Sequence, residues 1–141
     1  MFKFGARSLD NLVGVHPDLV AVVHDAMEIQ VMDFSVIEGL RSYEQQELYV
    51  QQGRSRTMNS KHMKQESGYS HAVDLYPYPV DMKKVNRGDM REVSRFGVLA
   101  GIMLSCAKQR GVVLTWGADW DRDGVVLDHT FYDAPHFQIE V

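Results

Sequence analysis

Asp89 and Glu92 spell a helix start, and Val93, Phe96, Ala100, Met103, Leu104 and Ala107 then fall on one face until Gly111 ends the run. A helix this long, apolar along one stripe and polar elsewhere, must lie on an apolar surface made by the rest of the chain. Residues 16–29 form a second one-sided helix, with Leu19, Val22, Val23, Ala26 and Met27 at steps of three and four and Pro17 near its start.

The strands are short. Residues 33–40 alternate, with Phe34 and Val36 on one side and Ser35 and Ile37 on the other, before Gly39 permits a turn. Ser42 and Gln45 make a capping box for a helix over 42–52 that Gly53 closes. Residues 54–69 are polar and irregular, 71–75 read as a short strand, 112–116 as a buried strand, 117–128 as a loop and 136–141 as a terminal strand. This order predicts an α+β domain with a small antiparallel sheet and helices packed on it.

At 141 residues, with 45% hydrophobic and 24% charged side chains, the chain suits one core, and no repeat or Pro/Gly/Ser-rich linker divides it. A single domain over 1–141 is the expectation. The net charge of -4 gives no general attraction to phosphate, so no nucleic-acid partner is expected. Cys106 is the sole cysteine, which rules out an internal disulfide and predicts a buried, inert thiol within the long helix. Residues 1–14 are broken by Lys3, Arg7 and Asp10, unlike a signal peptide, and no apolar run has membrane length. No membrane insertion is expected, and a monomer is.

Chemistry concentrates in two segments. His16 and His24 belong to the helix over 16–29 and its cap and read as structural or solvated. His62, His71, Asp74, His129, Asp133 and His136 instead cluster where loops enter strands. Catalytic zinc commonly takes three protein ligands from histidine and carboxylate and leaves a fourth position for water, so two of these histidines and one aspartate suffice. The spacing alone is not one of the close helical pairs such as H-E-x-x-H, and leaves ordinary polar loop residues as the competing reading.

Asp119, Asp121 and Asp123, followed by Gly124, reproduce the opening of a calcium loop, but its twelfth position is Thr130 rather than a bidentate glutamate. They are candidates for a weak calcium site, with an acidic surface turn the competing expectation. Trp116 and Trp120 fit either the core or a cleft wall. No glycine-rich phosphate loop is present.

Ser60-Lys61-His62, Gly68-Tyr69-Ser70-His71-Ala72-Val73-Asp74 and Asp133-Ala134-Pro135-His136-Phe137 resemble the S-x-H…G-x-A-x-D…D-x-x-H signature of D-Ala-D-Ala carboxypeptidase-like (VanY-type) zinc peptidases. Across nearly the whole chain the likeness is nearest to phage endolysins that act as L-alanyl-D-glutamate endopeptidases. Phe2-Lys3-Phe4-Gly5, Glu38-Gly39-Leu40-Arg41-Ser42, Thr57-Met58-Asn59-Ser60 and Trp116-Gly117-Ala118-Asp119-Trp120 are similar to stretches of those enzymes.

The resemblance implies a fold of the Hedgehog and DD-peptidase kind with the metal at the sheet. It places zinc on His62, Asp74 and His136, the catalytic carboxylate on Asp133, and on Arg41 a hold on a substrate carboxylate. The chain departs from the pattern between the first histidine and the glycine, where Met63 to Ser67 replace the usual two residues. A bulged loop that still delivers both ligands is expected, with His71 as a rival to His62.

The implied activity is a zinc-dependent hydrolase that cuts the peptide stem of peptidoglycan at the L-Ala–D-Glu bond and lyses the host. Zinc would lower the pKa of its water towards about 7, and Asp133 would take the proton. The alternatives are a D-Ala-D-Ala carboxypeptidase of the same fold and a non-catalytic wall-binding module. An endolysin of this type is expected to wait in the host cytoplasm until another protein opens the membrane.

Overall fold

The computed structural model describes residues 1–126 and 133–141. Its elements are α1 (Ala6–Asn11), α2 (Pro17–Glu28), β1 (Phe34–Glu38), α3 (Tyr43–Gln51), β2 (Ala72–Pro77), α4 (Met82–Asn86), α5 (Met90–Arg110), β3 (Leu114–Trp116) and β4 (His136–Ile139). The strands form one antiparallel sheet in the order β1-β2-β4-β3, as the α+β reading predicts.

The long helix begins and ends where its signals stand. The Asp89 carboxylate accepts from the backbone N–H groups of Arg91 and Glu92, and Gly111 closes α5 at φ 70°, a left-handed conformation that glycine adopts without a Cβ penalty. Ser42 caps α3 by accepting from Gln45 N at 3.1 Å, but the capping box is only half made, because the Gln45 side chain turns to the Tyr49 hydroxyl instead.

Helices α2 and α5 lie on one face of the sheet. Leu19, Val22, Val23 and Ala26 from α2 meet Leu99, Ala100 and Met103 from α5 over Val73, Leu75, Phe137 and Ile139 from the two central strands. Each of the larger side chains here, Val, Leu, Ile, Phe or Met, contributes about 1.5–3 kcal/mol on leaving water, so the core fixes which face of each strand points inward. Cys106 is buried in the same core, as expected.

Strand alternation then decides the outer face. With Val73 and Leu75 directed to the core, Asp74 points the other way, and with Phe137 and Ile139 inward, His136 and Gln138 do the same. The β2–β4 register sets Asp74 directly opposite His136. On the other side of β2, an irregularity between Val36 and Glu38 shifts the register so that Glu38 also faces Asp74. Three strands thus carry Glu38, Asp74 and His136 in one row.

Candidate active site

His62 reaches this row from the loop after α3. Its Nε2 lies 3.1 Å from Asp74 Oδ1, and His136 Nδ1 lies 3.4 Å from the same oxygen. The extra loop residues close on themselves: Gly68 N donates to Gln65 O and Gln65 N to Tyr69 O, with Gly68 at φ 90°. His71 N then donates to Lys61 O, which seats the His62 segment against the start of β2. The insertion is a bulge that leaves His62 and Asp74 side by side.

His71 goes elsewhere. Its Nε2 pairs with Ser67 Oγ at 2.7 Å and its ring meets that of His16 edge-on, while burial first, then the charges of His16 and Lys61, keep its pKa below the ordinary value. The structure brings together His62, Asp74 and His136, whose ligand atoms all lie within 4.8 Å of one another, and does not bring His71 to them. His129, the remaining histidine of the sequence cluster, lies outside the described residues.

The outer nitrogens of both site histidines are committed. His62 Nδ1 lies 2.9 Å from the Gly39 carbonyl oxygen, and His136 Nε2 lies 2.8 Å from Gln138 Oε1. Both oxygens accept, and the Gln138 amide is oriented by donating its NH2 to Glu140 at 2.9 Å, so each outer nitrogen carries the proton. The inner nitrogens therefore turn lone pairs towards a carboxylate, an arrangement that needs a positive charge between them. Two donors bound at about 2.0–2.1 Å to a tetrahedral zinc stand about 3.3 Å apart, which matches the 3.1 and 3.4 Å separations here. The residues fit a divalent metal.

In the metal-free protein, protons on the inner nitrogens would supply that positive charge instead. Burial opposes ionisation of Asp74, but hydrogen bonds from His136 and His62 together with their charge outweigh it and hold the carboxyl well below the usual range. For His136, burial disfavours the cation, yet the hydrogen bond and charge of Asp74 push its pKa up. Asp133 is shifted the opposite way from Asp74: burial first, then the Asp74 charge, raise its pKa against the pull of His136, His62 and Arg41. Two carboxyl groups in one site with opposed shifts suit two roles, one ligand and one proton acceptor.

Two glycines permit this geometry. A Cβ on Gly117 would overlap the Asp133 carbonyl and stand 2.9 Å from His136 Cβ, because Gly117 clamps the turn by bonding Asp133 N and His136 O, each at 2.7 Å. A Cβ on Gly39 would overlap the Asn11 carbonyl, so the carbonyl that orients His62 is held by close backbone packing.

The chain of hydrogen bonds behind His136 is invisible to spacing arguments centred on ligands. Gln138 and Thr115 both donate to Glu140, and Arg122 donates to Thr115. The alternation His136, Gln138, Glu140 opposite Phe137 and Ile139 is the signal that points to it. Because outer partners fix the ring tautomer and orientation, Gln138→Leu is expected to weaken divalent-metal affinity about 10–100-fold, measured by competition with a chromophoric chelator.

The site opens into a cleft of about 950 Å³ whose lining includes Arg41, Tyr49, Arg54, Trp120, Asp133 and His136. The Trp120 ring lies 5.6 Å from that of His136 and walls the site, whereas Trp116 packs against the core and donates its indole N–H to Ala134 O. Arg41 faces the cleft with a bidentate grip on Glu38, at 2.6 and 2.8 Å, and a further bond to Gln46.

Asp119, Asp121 and Asp123 also come within 4.8 Å of one another. Asp119 accepts from the backbone N–H groups of Asp123 and Gly124, and Asp123 from that of Val125, so the acids stabilise their own turn. Thr130 lies outside the described residues, and nothing in the turn calls for calcium.

The family of phage L-alanyl-D-glutamate peptidases matches residues 1–140. The L-alanyl-D-glutamate peptidase of Escherichia phage T5 is 28% identical over 142 residues, covering 98% of this chain and 98% of the relative. The crystal structure of the L-Ala D-Glu endopeptidase ChiX of Serratia marcescens superposes with a TM-score of 0.74 at 33% identity, over 98% of this chain and 90% of that one. The chain belongs to the phage L-alanyl-D-glutamate peptidase family.

Proposed function

We propose that the protein is a zinc metallopeptidase that hydrolyses the L-alanyl–D-glutamate bond in the stem peptide of bacterial peptidoglycan, with His62, Asp74 and His136 holding the metal. The observation that carries this reading is the pair of imidazole nitrogens, His62 Nε2 and His136 Nδ1, turned on Asp74 Oδ1 at the floor of an open cleft. When bound, the ion supplies Lewis acidity, which acidifies water and polarises a carbonyl.

The protein's own groups do the rest. Asp133 accepts the proton of the attacking water and, once protonated, passes it to the leaving amine of the D-glutamyl residue. Its raised pKa suits both halves of that exchange, since a base that is too weak holds the proton poorly. Gly39 and Gln138 keep both imidazoles in the ligating tautomer, and Trp120 shields one side of the site. Arg41, whose charge Glu38 largely balances, has one N–H left to hydrogen-bond a carboxylate of the stem other than that of the D-glutamyl residue.

Among the described residues no helix is long and apolar enough to cross a membrane. On the endolysin reading the enzyme waits in the host cytoplasm and meets its substrate, the wall, after another component opens the membrane.

Mass spectrometry of fragments released from purified peptidoglycan, with elemental analysis of the protein, tests the reading. Stem fragments with a new free amine on D-glutamate and about one zinc per chain are expected. Release of terminal D-alanine alone would convert the assignment to a carboxypeptidase.

A further inference from the structure

We propose that Arg54, carried on the ring of Tyr49, binds the free carboxylate of the substrate's D-glutamyl residue and makes the enzyme selective for the acidic stem over its amidated form. This rests on the proposed function and specifies the substrate further. A glutamyl residue has two carboxyl groups; one continues the stem, and the other remains an anion a few bonds from the scissile nitrogen. With the scissile carbonyl at the metal-binding residues, that anion must sit in the same cleft. The protein is net acidic, so a local cation is needed to receive it.

Arg41 is already matched in charge. Of its five donors, four are directed to Glu38, Gln46 and Ser60, and the Glu38 carboxylate neutralises it. Arg54 is the reverse case. It lines the cleft, it is exposed, and among the described residues its guanidinium has no hydrogen-bond or ion-pair partner. It is nonetheless held in place: its carbon Cζ stands 4.2 Å from the Tyr49 ring centroid, and its backbone N–H donates to Tyr49 O at 2.8 Å just after Gly53 turns the chain at φ 73°. A guanidinium stacked on a ring keeps its edge, with its paired donors, available to a carboxylate.

The other cations are less suited. Arg56 and Lys61 also line the cleft, but among the described residues neither is stacked on a ring, and the charge of Lys61 is shared with His71 and Glu140. The charge of Arg54 is felt at Tyr76, two residues along β2 from Asp74.

The test uses an N-acetylated L-alanyl-D-glutamyl stem peptide with its free carboxylate and the same peptide with that group amidated. Wild-type protein should prefer the acid by about tenfold or more in kcat/KM. Arg54→Gln should narrow the preference to within about threefold, through KM on the acidic peptide, with Arg54→Lys between the two because it keeps charge but loses the planar fork. Equal loss on both peptides, or no loss on either, would overturn the assignment of Arg54. Wild-type protein that cleaves both peptides equally would overturn the selectivity alone, whereas failure to cleave either would overturn the proposed function and this inference with it.

Discussion

Asp133→Asn should keep its metal and lose about a thousandfold in kcat, the scale on which a positioned general base acts. Asparagine keeps the shape and the backbone clamp to Gly117 and His136, so neither the turn nor the ligand set should move. What disappears is the ability to accept the proton of water and return it to the leaving amine. Elemental analysis and steady-state kinetics on the same preparation separate the two effects. Near wild-type turnover would remove Asp133 from the mechanism.

The same substitution has an opposite consequence for stability. In the metal-free protein, burial and the Asp74 charge raise the folded pKa of Asp133 above its ordinary 3.8. A carboxyl raised on folding favours the folded state below its unfolded pKa, and that advantage is lost as pH rises through the folded value, so at neutral pH the ionised group opposes folding. Asp133→Asn should therefore raise Tm at pH 7, with the gain fading as the pH is lowered to about 4. Thermal unfolding in the presence of a chelator checks this; a variant that is less stable at pH 7 would show that the carboxylate is held by favourable bonds instead.

The sequence made the large helices legible because their signals are local. Asp89, Gly111 and the stripe from Phe96 to Ala107 lie within one continuous segment, and the structure places α5 between those caps. The two short helices lack an apolar stripe, although Asp81 caps the start of α4. Six-residue α1 is held by tertiary bonds, with Ser8 Oγ accepting from Val36 N, and five-residue α4 buries no side chain at all. At the site, the ligand residues came from family likeness rather than from spacing, because Asp74 and His136 meet only through strand register. Register is set by which side chains the core accepts, a property of the whole fold. Gln138 could be read from alternation in β4, but the Glu38 grip on Arg41 depends on the β1 irregularity, which no local pattern in 34–38 announces.

Removing His136 should cost the protein its metal, whereas removing His71 should not. His136→Ala deletes one of three donors, a loss expected to exceed the roughly 10–100-fold weakening caused by disturbing an outer partner. It also strips Asp74 of one of the two imidazoles that keep it ionised. That ionisation favours the folded state above the unfolded pKa of Asp74 and is lost as pH falls through the depressed folded value, so the metal-free His136→Ala protein should unfold at a higher pH on acidification than metal-free wild type. His71→Ala breaks the bond to Ser67 and the edge contact with His16 but touches none of the three donors, so the metal content should be retained. His62→Ala completes the comparison and should behave as His136→Ala does. If His71→Ala lost the metal while His62→Ala kept it, the bulged loop would be delivering the other histidine, and the pairing of His62 with the Gly39 carbonyl would have to be read as structural.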